Sequence, residues 1–235
     1  MENTKTIEIL FPEFCNLYGD ISNMQYLKKC MENANFIETA FDEEPTFVKQ
    51  KVDFIYLGPM TERMQEKVIK KLQAYRDRIQ TLIEENVVFL FTGNAIEVLG
   101  AYIENEDGTR IEALNLFPIH SKRDMMHRHN SHFIGKFEDI EIVGFKSQFS
   151  MSYGDNGQDY FAVVEKGIGL NSESKLEGIR KNNLLATYVI GPILILNPLF
   201  TKRIIQMMGI KEPKLAIEED VMSAYEQRLI EFRSL

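Results

Sequence analysis

The sequence predicts an α/β domain with a mostly parallel central sheet flanked by helices and additional antiparallel strands in its second half. Three observations predict it. Short apolar runs alternate with amphipathic segments through the first hundred or so residues. The run Val87-Val88-Phe89-Leu90-Phe91 has no polar interruption, the mark of a strand covered on both faces. Between Thr61 and Glu85, Met64, Val68, Leu72, Tyr75, Ile79 and Leu82 recur in steps of three and four, a helical period. Strands buried on both faces and separated by helices form a parallel sheet with helices on either side.

Taken in order, Ile7 to Phe11 is a buried strand ended by Pro12, and a helix begins near Ser22 or Asn23 with Met24, Leu27 and Met31 on one face. Phe36 to Phe41 and Val52 to Leu57 are the second and third strands, the third broken by Gly58-Pro59. The long helix of residues 61–85 and the strand Val87 to Phe91 follow, and Thr92-Gly93-Asn94 turns the chain into a short helix, Ala95 to Leu99. Ile111 to Phe117, Ile140 to Phe145, Tyr160 to Val164 and Leu184 to Ile190 are strand-like, with Gly- and Asn-rich turns between them. Helices return at Pro198 to Met208 and Glu218 to Phe232; in the last, Val221, Tyr225, Leu229 and Phe232 share a face and three acidic residues suit the positive end of the helix dipole.

At 235 residues, 44% apolar and 26% charged, the chain can bury a full core without disulfides or metal staples. With no repeat or linker in it, residues 1–235 are expected to form a single domain. The longest near-apolar stretch, Tyr188 to Leu196, contains Gly191 and Pro192 and is far short of the ~20 residues of a membrane span. The N-terminal residues lack the apolar core of a secretory signal, so a cytoplasmic location is expected. A net charge of −8 opposes binding to phosphate backbones; the one basic patch, Lys122 to Arg128, is short, and nucleic acid is not an expected partner. Cys15 and Cys30 form neither a metal spacing nor a disulfide framework, which suits a reducing compartment.

The junction from Val87 to Gly100 is the most informative segment. In open α/β sheets ligands bind beyond the carboxyl ends of the strands, and a sharp strand-to-helix turn there lifts one side chain to the crest. The crest residue is Gly93 or Asn94, and neither can be a nucleophile. From spacing alone, an ordinary tight turn remains an open reading.

Four segments, in order over nearly the full length, make the chain resemble the class I (triad) glutamine amidotransferases of the cobyric acid synthase type, whose fold is flavodoxin-like. The resemblance is nearest to the glutaminase subunits of lipid II isoglutaminyl synthases. Asn16-Leu17-Tyr18-Gly19-Asp20 resembles the family's N-L/I-Y-G-D, and Thr92 to Gly100 its C-G-G-Y-Q-L-L-G elbow. Gly144-Phe145 before a polar triplet resembles G-F-E-N-H. Glu177-Gly178-Ile179-Arg180, then Ala186 to Pro192 and Asn197-Pro198, resembles E-G-V-R … G-T-Y-x-H-G-P-L-L-x-x-N-P. Carried over residue by residue, the family's nucleophilic Cys falls on Gly93 and its His on Ile190, while Asp20 matches the family's third member. The E-N-H triplet is Lys146-Ser147-Gln148, and the glycine-rich segment after the third strand is Gly58-Pro59-Met60-Thr61-Glu62.

Glutamine hydrolysis by this route needs a thiolate, a base and an acid for the leaving ammonia. Without its nucleophile, a triad site retains only about 10³–10⁴ over water. The resemblance therefore implies a binding or partner subunit without glutaminase chemistry, acting with a Mur-ligase-like ATP-dependent synthetase in peptidoglycan or corrinoid amidation. It implies a glutamine-like small molecule as the ligand and Gly58, Asn94 and Gln148 as candidate ligand-binding residues. No P-loop signature and no other cofactor motif is present, so no cofactor is expected.

Two alternatives stay open. Cys15 sits at the carboxyl end of the first strand, where it could serve as a relocated nucleophile in an active amidotransferase, or simply fill a core. His120, His127, His129 and His132 cluster within one segment, as a metal-dependent hydrolase or sensor would require, although Lys122, Arg123 and Arg128 oppose a cation and a polar surface loop is the plainer reading. Glu97, where the family often has Gln, is read as solvated or capping something local.

Overall fold

The computed structural model describes residues 4–235; Met1 to Asn3, part of the segment read above for a secretory signal, lie outside the described residues. In chain order the strands are β1 (Thr6–Leu10), β2 (Asn35–Thr39), β3 (Phe54–Leu57), β4 (Val88–Thr92), β5 (Tyr102–Glu104), β6 (Arg110–Glu112), β7 (Ile119–Arg123), β8 (His129–Phe137), β9 (Ile140–Gln148), β10 (Ser150–Gly154), β11 (Ala162–Lys166), β12 (Leu176–Glu177), β13 (Ile179–Lys181) and β14 (Leu184–Thr187). The helices are α1 (Ser22–Cys30), α2 (Glu62–Leu72), α3 (Arg76–Glu84), α4 (Ile193–Leu196), α5 (Pro198–Met207) and α6 (Glu218–Ser234).

Strands β14, β4, β3, β1 and β2 lie side by side and parallel, with β13 antiparallel at the β14 edge. Every residue of β3 and β4 is buried, so both faces of the sheet must be covered. Val68, Leu72 and Ile79 from α2 and α3 pack with Leu57, Phe89 and Phe91 on one side. Met24 and Leu27 from α1, with Phe200 and Ile204 from α5, pack with Leu90 and Leu185 on the other. The second half adds two four-stranded sheets, β10-β7-β5-β6 and β12-β11-β8-β9, antiparallel apart from the β5–β7 pair. Helix α6 lays Tyr225, Leu229 and Phe232 over Ile134 and Val143 of the β8–β9 hairpin.

Four sequence expectations are corrected. The helix of residues 61–85 is two helices, α2 and α3, joined by a 3-10 turn at Gln73–Tyr75. At that break Gln73 Nε2 donates to the Ala113 carbonyl (2.6 Å) and Arg76 Nε to the Leu114 carbonyl (2.7 Å), stapling the helix to the segment beside it. That segment, Ile111 to Phe117, is strand only through Glu112; the amides of Ala113, Leu116 and Phe117 bond to Ala101 and Leu99 instead. The short helix after β4 is a 3-10 helix, Gly93–Leu99. The histidine segment is largely strand: His120 lies on β7 and His129 and His132 on β8, whose outer half runs past the core and so tolerates polar residues.

Candidate functional site

The carboxyl edge of the parallel sheet gathers the residues the sequence singled out. Thr92 and Thr187 end adjacent strands in register, so the turn at Gly93 and the segment Tyr188 to Gly191 emerge side by side. The loop after β1 brings Cys15 and Asp20 to the same edge, and Gly58-Pro59-Met60 follows β3. Phe145 and Ile190 form a reciprocal antiparallel bridge (3.1 and 2.9 Å) that pins the last of these segments to β9.

Gly93 has φ +58°, the left-handed conformation of a sharp strand-to-helix elbow. A Cβ at this position would lie 2.6 Å from Pro59 Cβ and 3.3 Å from Ile190 Cγ2. The positions matching nucleophile and base thus face each other as the resemblance implies, but Pro59 and Ile190 occupy the volume between them. Ile190 is only 4% exposed.

Asp20, 1% exposed, accepts hydrogen bonds at Oδ2 from Tyr56 Oη (2.6 Å) and Thr92 Oγ1 (2.5 Å), while Oδ1 is buried without a partner. Burial pushes its carboxyl above the usual carboxylate range, opposed by the Thr92 and Tyr56 hydroxyls. Its hydrogen bonds therefore serve the loop and strands β3 and β4, with no imidazole among them.

The remaining candidates are placed as follows. Asn94 is clamped on Met60, accepting from its amide (3.0 Å) and donating to its carbonyl (2.8 Å). Gly58 is glycine because a Cβ there would run into the Cys15 carbonyl. Neither therefore presents a free side-chain group to a ligand. Gln148 is buried and donates to the Ser150 carbonyl (2.6 Å), leaving Oε1 free. Cys15 is 1% exposed with its Sγ against Met60 Sδ (3.8 Å), and burial, reinforced by Glu13, raises its thiol pKa. A thiol held this way is poorly ionised, which weighs against Cys15 as a relocated nucleophile.

The histidines disperse. His120 stacks between Tyr102 and Tyr153 (centroids 4.9 and 5.9 Å), and His127 bonds Asp124 (2.9 Å). His129 bonds Ser131 (3.0 Å), and His132 packs on Phe145 and Phe232 (5.4 and 4.8 Å). Among the described residues no three His, Cys, Asp or Glu side chains are grouped to hold a metal.

Sequence reasoning missed two buried networks. Glu97 is 1% exposed rather than solvated: it accepts from Gln65 (2.9 Å), Tyr188 (3.0 Å) and Ser150. Burial raises its pKa, countered by those donors and by nearby Arg123. The signal was a lone acid in the apolar run Ala95 to Leu99. Lys146, wholly buried on β9, pairs with Glu177 and donates to the Gly169 carbonyl (2.6 Å). Glu177 also accepts from Thr187 Oγ1 and the Tyr188 amide (both 2.7 Å). Period-two alternation from Gly144 through Lys146 to Gln148 placed all three on one inward face, and that was the available signal.

This elbow at the edge of a parallel sheet, with its two facing positions and a buried Asp on the first loop, defines a class I glutamine amidotransferase-like domain. Residues 6–196 match the CobB/CobQ-like glutamine amidotransferase domain, and the chain belongs to that family. More narrowly, it is 30% identical over 193 residues, 80% of this chain and 78% of the relative, to the lipid II isoglutaminyl synthase (glutamine-hydrolyzing) subunit GatD of Staphylococcus aureus. It is 25% identical over 204 residues to the GatD subunit of Streptococcus pneumoniae, covering 83% of this chain and 77% of that one. A crystal structure of a glutamine amidotransferase superposes with a TM-score of 0.57 at 12% identity, over 87% of this chain and all of the other. That of a Thermotoga maritima glutamine amidotransferase gives 0.51 at 11%, over 98% of this chain and all of the other; both show the fold. No helix among the described residues is long and apolar enough to cross a membrane.

Proposed function

We propose that this chain is an amidotransferase-fold subunit that no longer hydrolyses glutamine, acting as a binding or partner subunit of a Mur-ligase-like ATP-dependent amidating enzyme. The observation that carries the reading is the packing of Pro59 and Ile190 into the space a nucleophile on residue 93 would fill. A chain without thiolate or imidazole there has nothing to attack a carboxamide or protonate ammonia. The partner reading is supported by its GatD relatives, which are named as subunits of glutamine-hydrolyzing lipid II isoglutaminyl synthases.

The test is to incubate the purified chain with glutamine, alone and with the Mur-ligase-like protein, and measure glutamate and ammonia. No release above buffer is expected. Turnover, or a covalent adduct of an electrophilic glutamine analogue on Cys15 that abolishes turnover, would overturn the catalytic half. Native purification tests the other half: an ATP-dependent ligase is expected in the complex, and a chain that elutes alone refutes it.

A further inference from the structure

The parallel sheet is guarded at one edge and open at the other. At the β13 edge the Arg180 amide donates to the Asp159 carbonyl (2.5 Å), so the chain covers that side itself. At the opposite edge β2 pairs with β1 alone. The Asn35 amide donates to the Lys5 carbonyl and the Thr39 carbonyl accepts from the Phe11 amide (both 2.8 Å), so Asn35, Ile37 and Thr39 turn their backbone groups towards β1. By strand alternation Phe36 and Glu38 turn theirs outward, and no hydrogen bond among the described residues meets them. Such a row is a template for another strand. Strand β2 carries no proline, lysine or bulge to blunt it, and its one charged residue is Glu38.

The side chains at this edge are incompletely used as well. Ile37 is half-buried and belongs to no core cluster. On the other face of the strand, Phe36 and Glu38 border a notch of about 300 Å³ against α1, lined also by Ile9, Met24 and Lys28. The Lys28 ammonium lies 6.0 Å from the centre of the Phe36 ring. Among the described residues neither Lys28 nor Glu38 has an ion-pair partner, although both are exposed and face the same notch.

A second copy of β2, run antiparallel about a two-fold axis at Ile37, meets all of these groups in one register. Phe36 of each strand falls opposite Glu38 of the other, the pairing in which two residues exchange both backbone hydrogen bonds. Ile37 falls opposite its own copy, at the position where facing side chains approach most closely. Glu38 of each copy then enters beside the other's Phe36, next to Lys28, so opposite charges meet twice by symmetry. Sliding the strands until Glu38 faces its own copy would instead set like charges directly opposite. We propose that β2 is a self-association seam through which two copies of this chain join their parallel sheets edge to edge. The seam is short, so the dimer is weak, and it lies at the edge away from β14, so it forms whether or not the crest is catalytically empty.

Sedimentation velocity of the full chain at low ionic strength, from about 1 to 200 μM, tests this. The mass should rise from one chain towards two. Lys28→Glu and Glu38→Lys change exposed side chains and leave the fold intact, but each sets like charges across the seam and should weaken association roughly tenfold. An equimolar mixture of the two variants restores both attractive pairs and should associate as the wild type does. A chain that stays single over the whole range overturns the proposal. So does association that neither substitution weakens, or that mixing the two variants fails to recover.

Discussion

At residue 93 the backbone adopts the left-handed conformation of a sharp strand-to-helix elbow on a residue that carries no side chain. Gly93→Cys should cost about 1–3 kcal/mol, since the new Cβ meets Pro59 at 2.6 Å in a left-handed backbone. Combined with Ile190→His, it should still release no ammonia from glutamine; urea melts and an ammonia assay check the two halves. Asp20 makes a separate claim, on pH. Its folded pKa is raised by burial, so between the unfolded value near 3.9 and the raised one the folded state holds the extra proton. Stability from this group is complete below the unfolded pKa and is lost as pH rises through the folded one. Asp20→Asn should therefore gain on the wild type as pH climbs from about 4, then hold a constant margin, in denaturant melts across pH. The departures at Gly93 and Ile190 from the family's pattern were legible in the sequence, because each is a residue type read at a spaced position. The partners that make the burial of Glu97 and Lys146 tolerable were not, because those donors and acceptors come from residues tens of positions away.

Elements were legible where period and apolar run agreed. β1, β3 and β4, with α1, α5 and α6, lie within a few residues of where the pattern put them. The antiparallel additions were harder. β7, β8 and β10 carry polar residues in alternation on partly solvent-facing sheets, and nothing local marks them as strands rather than loops. The division of the long helix into α2 and α3 depends on Gln73 and Arg76 reaching carbonyls some forty positions on, which a helical period cannot reveal. Helix α2 itself opens on a local signal, Thr61, whose side chain accepts from the Met64 amide (3.4 Å). Thr61→Ala should cost about 0.5–1 kcal/mol and lower the melting temperature by roughly 1–4 °C, readable by calorimetry.

Over the whole molecule, buried amides add to the shared core and the β14–β4 pairing that join the two halves. Asn197 accepts from the Val143 amide (2.7 Å) and donates to its carbonyl (2.8 Å), while Asn23 accepts from the Leu194 amide (2.9 Å). Helix α6 lies past residue 196, where the family match ends, yet it covers Ile134 and Val143 on the hairpin that also pins Ile190. A chain ended after Ala216 should expose that apolar face and aggregate, losing the elution peak of the full chain on size-exclusion chromatography, whereas point changes on the outer face of α6, such as Glu226→Ala, should leave that peak intact.

Pro59 also sets the order in which the elbow could be rebuilt. With its ring in the place that a side chain on residue 93 would fill, an engineer adding sulfur at 93 has to shrink the neighbour first, so a small residue at 59 is the background in which a cysteine at 93 would be tolerated.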